Sequence, residues 1–263
     1  MAIEAFLSDV HFPIHEPATW KLTLRLLKKI NPGIIFLGGD ILDGHAVSRY
    51  DKDPAYQYSL QDELDVTTEN LRLLRQSFPS ATIYFKEGNH EQRLKKFLHS
   101  RAAELSCLRG LLLENLLGLN DLDIQWIPNE EKFKIGELWH MHGNEVTVGS
   151  VYPARNMYLK LGVNVIFGHY HRKSEYLDRS LDGKSHGAWG NSCMETFQPE
   201  YTFHNIWTHG FHVIEYSRYG RFRVEPFTFF QQGRMECFVY RGKTLMERLQ
   251  GSVAPVREHM LSA

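Results

Sequence analysis

Five short stretches of this chain gather carboxylate, carboxamide and imidazole side chains. They are Asp9-Val10-His11, Gly39-Asp40-Ile41-Leu42-Asp43, Gly88-Asn89-His90-Glu91, His142-Gly143 and Gly168-His169-Tyr170-His171. Asp, Asn and neutral His supply oxygen and nitrogen donors of intermediate hardness, which suit Mn²⁺, Fe, Zn²⁺, Co²⁺ or Ni²⁺ better than Ca²⁺. Residues i and i+2 of an extended backbone point in similar directions, so Asp9 and His11 can reach one ion together. His169 and His171 have the same spacing, although a turn there could aim them at two different ions. Asp9, His11, Asp40, Asn89, His142, His169 and His171 make seven donors, more than one such ion takes from side chains. Two ions sharing a carboxylate would use all seven, and Asp40 is the obvious sharer. Two divalent cations about 3.5–4 Å apart lower the pKa of a bridging water from ~15.7 towards ~7 and clamp the oxygens of a phosphoryl group. The chemistry expected of such a set is hydrolysis of a phosphate ester by in-line attack of the bridging hydroxide. His90 is not needed as a ligand and can protonate or stabilise the leaving oxygen. Asp43 can hold that imidazole in the required tautomer.

Taken singly, each stretch has a bland explanation. Gly-Asp is a common turn, and a lone histidine is more often a satisfied core or surface residue. Their positions change the reading. "AIEAFLS", "GIIFLGG", "ATIYFK", "ELWHM" and "VNVIFG" read as buried strands, and each donates Asp, Asn or His just past its C-terminal end. In α/β folds that edge is where sites are built.

Between these strands the apolar spacing is helical. Trp20, Leu24 and Leu27 follow Pro17 at i, i+4, i+7, and Asn31-Pro32-Gly33 stops that helix. A second helix is expected over 57–77, a third over 91–117 with a break near Gly110, and a fourth over 152–162. After His171 the pattern alternates with period 2, which predicts that 172–242 supplies the closing strands of a second sheet. The order β-α-β-α-β-α followed by strands implies two sheets packed face to face with helices outside. No Pro-, Gly- or Ser-rich linker interrupts 1–263, so a single domain is expected. The stretch 44–58 reads as a long loop beside the site, and 243–263 as a helix or a tail.

Composition excludes some alternatives. Of 263 residues, 43% are hydrophobic, enough for a large core, and 30 Lys+Arg against 31 Asp+Glu leave a net charge of −1. That balance disfavours binding nucleic acid through the whole surface. Cys107, Cys193 and Cys237 form no C-x-x-C pair, which points away from a disulfide framework or a thiolate zinc site and towards a reducing compartment. The start "MAIEAFLSDVHF" lacks a basic region and a long apolar run, so no signal peptide and no membrane span are expected. A cytoplasmic location follows.

As a set, "DVH", "GDILD", "GNHE", "HG" and "GHYH", running from residue 9 to residue 171, resemble the calcineurin-like metallophosphoesterase superfamily. The resemblance implies an α/β fold, a four-layer α/β/β/α sandwich of two packed mixed sheets holding two metals. It implies Asp9, His11, Asp40 and His171 at the first metal, and Asp40, Asn89, His142 and His169 at the second, with Asp40 bridging. His90 would be the catalytic histidine and Asp43 its partner. Mn²⁺ is the leading cofactor expectation, with Fe, Zn²⁺, Ni²⁺ or Co²⁺ as alternatives.

The departures bear on substrate. Gly44 and His45 follow Asp43, where the protein-phosphatase branch has an Arg. G-H-x-H is similar to the phosphodiesterase and nuclease branches, and the neighbouring residues are similar to small phage and bacterial phosphoesterases. If the chain is phage-encoded, the compartment would be the host cytoplasm.

The leading expectation is therefore a phosphodiesterase or nuclease acting on DNA, RNA or a nucleotide. A phosphomonoesterase of small molecules or phosphoproteins is the alternative, and a non-catalytic binding scaffold is a third. Arg93, one helical turn past His90, and Arg49 and Tyr50 in the long loop are candidate substrate contacts. The basic run "RLKKFLHSR" (93–101) could track a phosphate backbone, although a solvated helix face explains it as well. Aromatic residues beyond 196, among them Phe197, Tyr201, Phe203, Trp207, Phe211 and Tyr216, read mainly as second-sheet core, with base stacking as the other role. The oligomeric state is not encoded in these patterns.

Overall fold

The computed structural model describes residues 2–52, 56–149, 151–179, 181, 183–197 and 205–249. β1 (Ala2–Leu7), β2 (Ile34–Leu37), β3 (Thr82–Lys86) and β4 (Ile124–Ile127) lie side by side in parallel. Their side chains alternate between two buried faces. Ala5, Leu7, Ile35, Leu37, Ile83 and Phe85 point to one core, while Phe6, Phe36 and half-buried Tyr84 point to another. Covering on both faces explains why these strands read as continuous apolar runs.

The first core is closed by α1 (Pro17–Ile30) and α2 (Leu60–Ser77). Pro17 opens α1 with its φ already set, and Asn31 ends it in the left-handed conformation, φ 52°. α2 begins at a capping box in which Ser59 and Asp62 exchange hydrogen bonds. It starts three residues later than the periodicity predicts, because Ser59 satisfies the first-turn N–H groups.

α3 (Gln92–Arg101) ends at Ala102, and only the short α4 (Leu113–Leu116) follows, separated by 3₁₀ turns. The expected break near Gly110 is thus a wider interruption. β5 (Phe133–Ile135), β6 (Leu138–His140), β7 (Val165–Phe167), β8 (Ser174–Arg179) and β9 (Ser185–Gly190) form a second sheet, ordered β5-β6-β7-β9-β8. α5 (Pro153–Leu161) covers its outer face through Ala154 and Met157, which pack on Val165, Phe167 and Ala188. Phe6, Phe36, Leu138, Ile166 and Trp189 fill the space between the sheets. The architecture is the expected α/β/β/α sandwich of two mixed sheets.

The assignment of 172–242 to the second sheet needs correction. Only β8 and β9 join it. β10 (Gly210–Tyr216) and β11 (Phe222–Thr228) instead extend the first sheet, with β10 antiparallel to β1. A period-2 pattern marks a strand but carries no information about which neighbour it pairs with. β12 (Phe230–Gln232), β13 (Met235–Tyr240) and β14 (Lys243–Arg248) form a separate three-stranded meander.

β14 also replaces the helix or tail expected from 243 onward, and residues 250–263 lie outside the described residues. Arg241 and Gly242, both at positive φ (49° and 74°), make the tight turn that pairs β14 with β13. Glu247 of β14 pairs with Lys21 and Arg25 of α1, which docks the meander on the first helix layer.

Two buried charges are fully engaged. Lys86 donates to the carbonyls of Pro128, Asn129 and Glu131 at 2.7–2.8 Å. Glu4, between the sheets, accepts from the Tyr216 hydroxyl at 2.8 Å and faces His140 Nε2 at 2.8 Å. Such groups are tolerable only when partnered.

Candidate metal centre

Every stretch singled out in the sequence follows the C-terminal end of a strand. Asp9 and His11 follow β1, Asp40 and Asp43 follow β2, and Asn89 and His90 follow β3. His142 follows β6, and His169 and His171 follow β7. The centre thus lies between the two sheets, with Asp9, His11, Asp40, Asp43, Asn89 and His90 from the first and His142, His169 and His171 from the second. Asp9, His11, Asp40 and His142 are fully or almost fully buried.

The donors converge. Asp9, His11, Asp40 and His171 each offer a ligand atom within 4.8 Å of the others, and Asp40, His142 and His169 form a second such group. Asp40 is the residue common to both. Asn89 Oδ1 joins the second group at 3.0 Å from His142 Nε2, which itself lies 3.1 Å from Asp40 Oδ2. In the first group the Nε2 atoms of His11 and His171 face each other at 3.2 Å.

The backbone is bent to achieve this. Among the described residues, eight non-glycine residues have positive φ, and five of them are Asp9, His11, Asp40, His169 and His171. Left-handed non-glycine residues cost of order 1–3 kcal/mol each and persist where the surroundings over-determine them. Motif glycines make room: a Cβ on Gly88 would lie 2.4 Å from Asp40 Oδ1, and one on Gly168 would lie 2.5 Å from Asp9 Oδ2.

Directed hydrogen bonds hold the carboxylates. Asp9 accepts from the Ser8 hydroxyl at 2.6 Å and from the His169 N–H at 2.9 Å. Ser8 accepts from Asn191 Nδ2 at 2.9 Å, and Asn191 Oδ1 faces His212 Nδ1 at 2.7 Å. Asp40 Oδ1 accepts from the His90 N–H at 2.9 Å.

Glu91, buried under the centre, accepts from four backbone N–H groups. Asp40 and Gly88 donate to Oε2 at 2.9 and 2.8 Å, and Ile41 and Leu42 donate to Oε1 at 2.8 and 3.0 Å. Burial and then the charge of Asp40 push its carboxyl up to about 7, against those donors. Glu91→Gln would turn an NH₂ towards two of these N–H groups. The expected loss is roughly 2–6 kcal/mol, from two stranded donors at ~1–3 kcal/mol each. Chemical unfolding of the metal-free protein measures it, and an unchanged midpoint would rule out this role.

The electrostatics fit a cationic occupant. Burial disfavours charge on Asp40, but His142, His90 and His11 outweigh it and hold the carboxyl well below its ordinary value. Burial lowers His11, yet the carboxylates of Glu195, Asp43 and Asp40 raise it to about 10. His142 reaches about 10 against burial through Asp40, Asp9 and Glu145. Burial and the neighbouring His142 lower His169 to about 4. The pocket demands positive charge, and divalent ions would supply it while displacing imidazole protons. The donor set, all Asp, Asn and His, suits that occupant.

His90 belongs to neither of the two donor groups but sits beside them, clustered with His11 and Asp43 and with its Nε2 3.8 Å from Asp40 Oδ2. Its Nδ1 is 2.8 Å from the Asp43 carbonyl and 3.1 Å from Asp43 Oδ1, which is also 3.1 Å from His11 Nδ1. One oxygen thus serves two imidazoles. Arg93 donates through Nη1 to the Asp43 carbonyl at 2.8 Å, and its Nη2 is 2.9 Å from His90 Nε2.

A cavity of about 570 Å³ opens above these residues, walled also by Tyr50, Tyr56 and Trp207. The Trp207 ring lies 4.4 Å from that of His171. Arg93 and Tyr50 therefore reach the cavity, while Arg49 lies outside it against the Tyr50 ring. Phe211 and Tyr216 belong to the first sheet and Phe197 stacks on His209; Tyr201 and Phe203 lie outside the described residues.

Two residues escaped the sequence reading. Glu91 was visible beside His90 but its anchoring role was not. Glu195, with its carboxylate 3.3 Å from His171 Nδ1 and 3.6 Å from His11 Nε2, follows β9. The same strand-end criterion, extended to "GNSCME", points to it.

The match to a known family agrees with this centre. The calcineurin-like phosphoesterase family profile matches residues 5–202. The chain is 27% identical over 176 residues to the Gene 54 protein of Mycobacterium phage L5, an alignment spanning 64% of this chain and 68% of that protein. It is 26% identical over 178 residues to the Gene 54 protein of Mycobacterium phage D29, again 64% and 68%. Among solved structures, Vps29 of Entamoeba histolytica complexed with Zn²⁺ aligns over 94% of this chain and 97% of its own, at 13% identity and TM-score 0.44. YfcE, a phosphoesterase from E. coli, aligns over 94% and 100%, at 10% identity and TM-score 0.40. With the family profile covering most of the chain and a buried Asp/His cluster at its strand ends, the chain belongs to the calcineurin-like phosphoesterase family and is a metal-dependent phosphoester hydrolase.

Proposed function

We propose that this hydrolase is a two-metal phosphodiesterase acting on nucleic acid or a nucleotide, with Mn²⁺ as its leading cofactor. The observation that carries the two-metal reading is the membership of Asp40 in both donor groups. Asp9, His11, Asp40 and His171 would hold one ion, and Asp40, Asn89, His142 and His169 the other. Bound there, the pair would lower the pKa of water and neutralise charge on the phosphoryl oxygens.

The chain's own residues supply the rest. Asp43 holds His90 through Nδ1; with both ring nitrogens protonated, Nε2–H would pass its proton to the leaving oxygen and leave a neutral ring that keeps its proton on Nδ1. Arg93, held by the Asp43 carbonyl through Nη1, would turn its Nη2 from His90 to a substrate phosphate oxygen. Tyr50 and Trp207 on the cavity wall offer faces on which bases stack. The exposed Lys95 and Lys96 of α3 extend the positive surface beyond Arg93.

The setting we assign is the host cytoplasm, on the likeness to two phage proteins. No helix among the described residues is long and apolar enough to cross a membrane.

The test compares bis-p-nitrophenyl phosphate with p-nitrophenyl phosphate under Mn²⁺, Fe²⁺, Co²⁺, Ni²⁺ and Zn²⁺. Single-stranded DNA, duplex DNA, RNA and cyclic nucleotides follow. Diester hydrolysis is the expected result. Activity confined to the monoester would replace this reading with the phosphomonoesterase one, which Arg93 on the cavity wall would also serve.

A further inference from the structure

Glu195 belongs to none of the motifs that define the centre, yet it is fully buried against two of the candidate ligands. It lies five residues beyond the end of β9, on a segment tied to the loop after β1: His15 and Glu195 form an isolated antiparallel bridge, and the Thr196 N–H donates to the Ile14 carbonyl at 3.2 Å. A third tie comes from His209, whose Nε2 lies 2.9 Å from the Glu195 carbonyl. His209 Nδ1 in turn faces Glu236 of β13 at 3.2 Å and the Thr19 hydroxyl of α1 at 2.9 Å. The Glu195 backbone is thus held from two sides, by the loop after β1 and by His209, and its buried carboxylate points into the site.

That direction is towards His171. His171 Nε2 faces the first donor group, 3.2 Å from His11 Nε2 and 3.4 Å from Asp9 Oδ1. Its other ring nitrogen, Nδ1, is buried without a hydrogen bond among the described residues, and an oxygen of Glu195, Oε2, lies 3.3 Å from it, at ion-pair distance. An imidazole can present a lone pair on Nε2 only if its proton sits on Nδ1, and an acceptor at Nδ1 sets that tautomer and the ring orientation. His11 has the matching arrangement, with Nδ1 on Asp43 and Nε2 towards the group. His171 itself stands beyond the end of β7, with its backbone in the left-handed region, φ 56°.

We propose that Glu195 is the positioning residue for the first metal: its carboxylate accepts the His171 Nδ1 proton and holds Nε2 ready as a ligand, as Asp43 does for His11. This rests on the two-metal reading above. It adds that the two ions depend on different outer partners, so that only the first depends on Glu195. His142 of the second group places its Nδ1 instead on the Gly38 carbonyl, at 2.9 Å.

The test uses the full chain, stripped of metal and titrated with Mn²⁺, with bound ions counted by equilibrium dialysis and elemental analysis. In Glu195→Gln, one of the two ions should bind about 10–100-fold more weakly, the usual effect of removing an outer carboxylate, while the other keeps its wild-type affinity. Glu195→Asp should fall between Gln and wild type. Wild-type affinity for both ions in the Gln variant would overturn the inference, as would equal weakening of both. A wild-type chain that binds fewer than two ions would instead remove the two-metal reading beneath it.

A second measurement does not depend on the variant folding. Imidazole ¹⁵N–¹H correlation spectra of the wild-type chain loaded with diamagnetic Zn²⁺ should give His171 a proton on Nδ1. A proton on Nε2, or none on Nδ1, would overturn the inference directly.

Discussion

Asp40→Asn leaves the purified protein with fewer than two bound ions and with activity reduced by more than about 100-fold. Removing an outer partner of a metal ligand already costs ~10–100-fold in affinity or activity, and Asp40 is an inner candidate common to both groups. The carboxamide keeps the shape but halves the acceptor capacity. It would retain the bond from the His90 N–H to Oδ1, so the loop after β2 should survive the change. It would also turn an NH₂ towards His142 Nε2, which now lies 3.1 Å from Oδ2. Elemental analysis of the variant decides the matter, because two ions retained at wild-type affinity would contradict a shared carboxylate.

His90→Ala separates chemistry from binding. Both ions should remain, because His90 contributes to neither the Asp9 nor the His142 donor group. Turnover should fall by ~10²–10⁴-fold, the range for loss of a positioned general acid. The direction of the substrate dependence is also fixed. A leaving alkoxide needs a proton more than p-nitrophenolate does, so the loss should be larger on a nucleic-acid diester than on bis-p-nitrophenyl phosphate. Burial lowers His90, Asp40 and Asp43 oppose that, and His11 and Arg93 reinforce it. Wild-type rates on both substrates in the Ala variant would mean that His90 has no chemical part.

The centre was legible in the sequence because strand ends are local features. An apolar run followed by Asp, Asn or His is visible in a dozen residues, and five of them place seven donors together in the order expected. Glu195 also stands past a strand end, that of β9, but its role was not legible. Its partner His171 is separated from it by the β8–β9 hairpin, and no residue type marks a carboxylate that accepts from a ligand instead of meeting the ion.

The fold was read more coarsely. Both-face burial made β1, β2 and β3 plain, since Phe6, Phe36 and Tyr84 alternate with Leu7, Leu37 and Phe85. The return of β10 to the edge of β1 was not visible, because pairing across some 200 residues leaves no period in the chain. The β13–β14 hairpin did carry a local sign, Arg241-Gly242, but glycine there follows arginine and not the Asn or Asp that usually announces such a turn.

The division of the donors between the two sheets has a mechanical consequence. Asp9, His11, Asp40 and Asn89 ride on one sheet, and His142, His169 and His171 on the other, so a cation bound between them would be a rivet through the sandwich. Prising the sheets apart at that rim would require breaking coordination bonds as well as parting side chains. Chemistry and cohesion would then be served by the same few atoms.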